Sequence, residues 1–204
     1  MRLGGFLGVA SRTEELEALK EATLDLASQA LEARDPVIAK HSARVAELAA
    51  RLAQQLDLDK RSVRLIHTAG RLHDLGMIGI RDSLLNKPGP LREDEWEVMR
   101  RHPDIAADMI AWHRALAEVT PMVRHHHERW DRTGYPAGLG GEVIPIGSRI
   151  VAVAEAFDTI TTKRIYRPTA LSSEDAVRDI SERSETWYDP TVVEALRGFR
   201  TFPP

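Results

Sequence analysis

The chain has no cysteine among its 204 residues, which excludes disulfides, thiolate metal sites and a cysteine nucleophile. No apolar run approaches the roughly 18 residues that a membrane span needs, and no charged-then-apolar signal peptide follows Met1. Charge of one sign is also lacking: the net charge is -3 and the pI is near 6.2. No overall basic field therefore draws the chain to a nucleic acid polymer or an anionic membrane. Internal repeats and low-complexity stretches are absent, and no strand pattern is convincing beyond the first few residues. The cytoplasm is the default location. What remains is a chain with 43% hydrophobic and 29% charged residues, long enough for one good-sized core, in which eight histidines are the soft ligands.

Apolar periodicity predicts helix after helix, hence an all-α fold. The opening "RLGGFLGVASR" is Gly-rich and reads as β-like. From Thr13 onward, Leu16, Leu19, Leu24, Leu26, Ala30 and Leu31 recur at roughly helical spacing. Asp35 is placed to cap a helix with Pro36 in its first turn, and Asp59 to cap the next, which Gly76 and Gly79 end. Further helices are expected around Trp96 and Met109, over "RIVAVAEAFDTIT", and from Ser172 or Ser173. "RTGYPAGLGGEVIPIGS" is the one long Gly/Pro-rich stretch inside the globule, and ordered loops of this kind are often functional.

Polar residues fall on the inward faces of these helices. His41 shares a face with Val37, Val45, Leu48 and Leu52, and His73 with Ile66, Ala69 and Gly70. Asp74 follows His73 directly, Glu155 sits in the apolar run "VAVAEAF", His102 precedes Pro103, and "HHH" occupies 125–127. Taken singly, each has an ordinary structural explanation: a hydrogen-bonded core imidazole, a solvated helix end, a carboxylate paired with arginine. Together these explanations fail. Each buried, unpaired group would cost a few kcal/mol, whereas one or two divalent metals satisfy them all. Imidazole and carboxylate without thiolate suit Fe, Mn, Zn, Co or Ni without choosing among them.

The ordered set "HSARV", "LHDLG", "IGIRDSLLNKPGPL", "RRHP", "HHERWDRTGYP" and "IPIGSRIVAVAEAFDTITTKRIYRP" resembles the HD-GYP family, bacterial phosphodiesterases that hydrolyse cyclic di-GMP. The resemblance covers about residues 35–199 and implies an HD-superfamily helical bundle with a long GYP loop. It also implies two divalent transition-metal ions, Fe or Mn ahead of Zn, Co or Ni. One would be held by His41, His73, Asp74 and Glu155, the other by Asp74, His102, His126 and His127, with Asp74 as the bridge. Gly134, Tyr135 and Pro136 would shape the loop beside the substrate. Arg164 and Arg167 would hold a substrate phosphate, while Lys87 belongs to a family motif with a structural role. The implied reaction is attack of a metal-bridging hydroxide on cyclic di-GMP to give linear pGpG, and onward to GMP as an open possibility.

The sequence departs from the family pattern at four positions. Glu155 stands where aspartate is usual, and Val37, one turn before His41, cannot supply a third metal's ligand. Met77 replaces a lysine that can reach a phosphate oxygen, and Arg132 replaces a glycine, returning a positive charge near the pocket or narrowing the loop. Two functions follow: a working phosphodiesterase acting on cyclic di-GMP or another cyclic dinucleotide, or a slow binding module that signals through partners such as diguanylate cyclase (GGDEF) domains. At the N-terminus, 1–12 resembles the tail of a GAF-type sensory domain, 13–34 a linker or signalling helix suited to a homodimer contact, and 35–204 the HD-GYP domain. The alternative for the helix is plain packing on the core.

Overall fold

A computed structural model describes residues 4–162 and 169–202. Among these residues the architecture is all-α, with no strand and one isolated bridge between Ser184 and Tyr188. Helix α1 (Gly4–Arg34) contains the described part, residues 4–12, of the segment expected to be β-like, and Thr13 lies inside the helix instead of starting it. No proline interrupts 4–34, so each residue added to a nucleated helix gains a backbone hydrogen bond. That gain offsets the cost of each glycine, about 1 kcal/mol relative to alanine.

Local capping sets the next helices. Asp35 accepts from Val37 N at 2.8 Å and Ile38 N at 3.1 Å, with Pro36 in the first turn of α2 (Pro36–Gln55). Asp59 caps α3 (Lys60–Leu72) in the same way. Helix α3 stops before the His73–Asp74 pair, earlier than Gly76 suggested, and a short 3-10 helix (Leu75–Gly79) follows. Then come α4 (Asp82–Leu85), α5 (Glu93–Met99), α6 (His102–Ala111) and α7 (Val119–Arg124). After the Gly/Pro-rich loop, α8 (Ile146–Thr161), α9 (Ser173–Ser181, capped by Ser172) and α10 (Pro190–Arg197, capped by Asp189) complete the fold.

Helix α2 is the central element, packed chiefly on α3 and α8. Val45, Leu48 and Leu52 are fully buried, but Val37, placed on the same face by its spacing, is 58% exposed at the start of the helix. Leu24 and Leu31 bring α1 into the shared core, whereas Leu19 and Leu26 face outward. Gly76 permits an unusually close crossing: a Cβ there would stand 2.0 Å from the His102 carbonyl oxygen. The start of α6 is thereby pressed against the turn that carries Asp74. Among the described residues no helix is long and apolar enough to cross a membrane.

Candidate metal centre

Helix ends orient the imidazoles. The last carbonyls of an α-helix have no partner within it. His73 lies just past α3 and donates Nδ1–H to Gly70 O at 2.8 Å; His102, beyond α5, donates to Met99 O at 2.8 Å; His126, beyond α7, donates to Val123 O at 2.6 Å. A carbonyl can only accept, so Nδ1 carries a proton in all three, and Nε2 is the nitrogen turned inward, with a lone pair whenever the ring is neutral. His41, from the middle of α2, has its Nδ1 2.6 Å from Asp158 Oδ2 on α8. Arg44 donates to the same carboxylate from Nε at 2.5 Å and from Nη2 at 3.0 Å.

These side chains converge. His41, His73, His102 and His126 are all buried, with Asp74 6% exposed among them. Asp74 Oδ2 lies 3.3 Å from His73 Nε2 and 3.8 Å from His41 Nε2, while Oδ1 lies 3.5 Å from His102 Nε2. One oxygen thus faces each side of the cluster. Ligand atoms of His41, His73 and Glu155 lie within 4.8 Å of one another, as do those of His102, His126 and His127, and those of His73, Asp74 and His126. Glu155 Oε2 also stands 3.9 Å from His127 Nδ1.

The donor set fits a cation on its own chemistry. His73 Nε2 is buried and makes no hydrogen bond. His102 Nε2 stands 3.4 Å from His126 Nε2, so two acceptors face one another, and 3.2 Å from His127 Nε2. Buried acceptors without donors are costly, and a metal ion between them removes the cost. Electrostatics point the same way. Burial raises the Asp74 carboxyl, but the surrounding His73, His102 and His41 outweigh it and hold it well below the usual range. Burial disfavours a charged His73, yet Asp74 pushes its value up to about 9. The Asp74–His73 pair therefore demands a cation, proton or metal. Burial first, then neighbouring imidazoles, lowers His102, His126 and His127, so their lone pairs are available at neutral pH.

The Gly/Pro-rich loop folds over one side. Tyr135 stacks on His127 with ring centroids 4.8 Å apart, and its phenol is raised by burial and by Glu155, so it remains a protonated donor. Gly134 packs where a Cβ would meet Arg129 N at 2.3 Å and His127 O at 2.5 Å. Pro136 is exposed next to it. Glu128 is buried and accepts Ala137 N at 2.7 Å, tying the loop to the histidine run. A cavity of about 360 Å³ opens beside His127 and Glu155. Arg132 is exposed with φ 71° and contributes nothing to that cavity wall. Arg164 and Arg167 lie outside the described residues.

Sequence reasoning passed over Asp158, Arg44 and Glu128. The signal for Asp158 was the one that exposed Asp74: a carboxylate in an apolar run, here three residues after Glu155.

Residues 25–192 match the family model for the HD domain. The chain belongs to the HD domain family. The chain is 39% identical over 184 residues to the cyclic di-GMP phosphodiesterase response regulator RpfG of Xanthomonas campestris, covering 89% of this chain and 48% of that protein. A 3'3'-cGAMP-specific phosphodiesterase 2 of Vibrio cholerae is 35% identical over 182 residues, 88% of this chain and 34% of that one. This HD domain chain thus spans half or less of the length of these relatives. Among solved structures, an HDG"Y"P protein from Bdellovibrio bacteriovorus superimposes with a TM-score of 0.62 at 21% identity, over 76% of this chain and 50% of that one, which supports the all-α HD fold.

Proposed function

We propose that this HD domain hydrolyses a phosphodiester of a cyclic dinucleotide, cyclic di-GMP in the first instance, to the linear dinucleotide pGpG, with GMP as the further product. The observation that carries the reading is the set of three ligand groups, His41–His73–Glu155 and His102–His126–His127 joined through His73–Asp74–His126, with the two oxygens of Asp74 facing different histidines. His41, His73, Asp74 and Glu155 would hold one divalent ion, and Asp74, His102, His126 and His127 the other, Fe or Mn ahead of Zn, Co and Ni. Such ions, when bound, supply Lewis acidity toward phosphoryl oxygens and lower the pKa of water. The chain supplies the rest. Asp158 and the helix-end carbonyls hold the imidazoles in one tautomer. Tyr135, protonated and stacked on His127, stands beside the ligand cluster. Arg164 and Arg167 take the substrate phosphate, on the strength of the family resemblance. The names of the relatives support the substrate class, and they include both cyclic di-GMP and 3'3'-cGAMP phosphodiesterases.

The test is metal analysis of the purified chain together with hydrolysis of cyclic di-GMP in Mn²⁺ and in Fe²⁺. Linear product that scales with metal content supports the reading. Full metal occupancy with no product from any cyclic dinucleotide overturns it and favours a binding module acting through GGDEF partners. For the N-terminal region, Leu19 and Leu26, exposed and seven residues apart on α1, support a homodimer contact along a signalling helix. Unchanged solution mass after removal of residues 1–34 would refute that.

A further inference from the structure

The cavity beside His127 and Glu155 contains a group that hydrolysis as described does not use. Trp187, in the turn after α9, is fixed by its own N–H to Arg183 O at 2.9 Å and by its carbonyl accepting Trp130 N at 3.2 Å, next to the bond from Asp131 N to Thr186 O at 2.8 Å. The backbone that carries the indole is therefore fixed relative to the segment that follows the histidine run. Two guanidinium groups lie over it, that of Arg129 at 3.8 Å from the ring centroid and that of Arg183 at 4.9 Å. Arg183 is ion-paired with Asp179. Arg129 makes a long bond of 3.4 Å to Thr133 Oγ1 and, among the described residues, has no carboxylate at ion-pair distance. Both arginines and the indole line the same cavity as His127 and Glu155.

A guanidinium stacked on an indole loses little freedom on binding and keeps its edge donors for a planar acceptor. The reacting phosphate belongs with the metal ligands. The same cavity is lined by the aromatic rings of Trp187 and Tyr188 and by Ala152, Ala156 and Ile160, groups suited to a planar base rather than to a second phosphate. Guanine offers O6 and N7 as two adjacent acceptors to one guanidinium; adenine offers N7 beside an amino donor, which opposes it. We infer that Arg129, held in place by Trp187, is a specificity-determining residue that reads a guanine base of the cyclic dinucleotide and selects against adenine at that position. This rests on the cyclic-dinucleotide reading above.

Binding and turnover are measured separately on metal-loaded protein. Calorimetry with phosphorothioate-linked cyclic di-GMP and cyclic di-AMP, which resist hydrolysis, gives the base preference; product analysis with the natural compounds gives turnover. Arg129→Lys keeps the charge but loses the fork, and should lower the guanine-over-adenine ratio about 10- to 100-fold. Trp187→Leu should lower it too, by releasing the guanidinium, with metal content unchanged. If both compounds weaken equally in Arg129→Lys and Arg129→Gln, the contact is to phosphate and the inference falls, as it does if the parent protein shows no base preference. A preference lost in these variants, without hydrolysis in the parent, sustains the base contact and overturns the hydrolase reading. Hydrolysis with a ratio untouched by the variants does the reverse, and no binding at all overturns both.

Discussion

Asp158→Asn separates the residues that would touch metal from those that hold them. The Asp158 carboxylate is 5% exposed and receives His41 Nδ1 at 2.6 Å and Arg44 Nε and Nη2 at 2.5 and 3.0 Å. Burial raises its pKa, and the bonds from His41 and Arg44 more than reverse that. Asparagine offers one oxygen and one NH₂ in nearly the same shape, so one of the two partners must face a donor. A hydrogen bond to a charged group contributes about 1.5–3 kcal/mol. The Arg44 side chain is 34% exposed and can turn to water, so its loss weighs little. The His41 side chain is 4% exposed and cannot. The loss of stability in the metal-free protein is therefore about 2 kcal/mol. Outer-layer partners of a metal-bound imidazole typically contribute 10- to 100-fold in affinity, roughly 1.4–2.7 kcal/mol. Calorimetric titration of the metal-free variant with Mn²⁺ should show one weakened site, the His41–His73–Glu155 group, while the His102–His126–His127 group keeps its ion. Two sites of parental affinity, in a variant that melts like the parent, would refute the role given to Asp158.

Gly76→Ala places a methyl where the His102 carbonyl oxygen stands 2.0 Å away, so α6 must retreat; thermal unfolding should show a loss of roughly 2 kcal/mol or more, and metal content should fall with it. Met77→Lys, in the partly buried 3-10 turn after Asp74, restores a cation that would add one charge-assisted hydrogen bond. Turnover should rise by about one to two decades if that bond forms in the transition state, and an unchanged kcat in the Mn²⁺ assay would show that the cation is not limiting. His102, His126 and His127 are all lowered from 6.5, so below pH about 6.5 the unfolded chain takes up protons that the folded site resists. The stability contributed by their neutral forms is complete above that pH and is lost as pH falls toward the lowered values. Metal retention after dialysis should decline over the same window, and retention unchanged down to pH 5 would contradict it.

The local parts of the fold were legible because their causes are local. Asp35 with Pro36, Asp59 and Ser172 are caps whose partners lie two or three residues away. The candidate cluster was legible for two other reasons: His41, His73 and Glu155 are polar on apolar faces or runs, with Asp74 directly after His73, and His102, His126 and His127 were marked as ligands by the family resemblance. Contacts across the chain were not. Asp158 meets His41 from 117 positions away, and Arg129 meets Trp187 through a turn that no periodicity marks. Gly76 was visible but misread, since a helix-ending glycine and one needed for close approach look alike in sequence. The first turns of α1 were misjudged because glycine's intrinsic cost was weighed without the long unbroken helix that overrides it.

The helix ends do more than orient rings. At α3, α5 and α7 the carbonyl that anchors an imidazole belongs to the C-terminal turn, the end of the helix that carries partial negative charge. Three such ends meet around Asp74, so the backbone itself favours cations there. The side-chain charges leave room for more. Asp158 is offset by Arg44, so Asp74 and Glu155 are the carboxylates that face the proposed ions directly. Against two divalent ions they leave an excess of positive charge, which a phosphodiester anion would complete. A site assembled from neutral imidazoles, with few carboxylates, would thus favour an anionic substrate by remaining undersupplied with negative charge once the proposed ions are bound. Replacing one of its histidines by aspartate would be expected to retain metal while weakening substrate, a split visible as a raised KM at full metal occupancy.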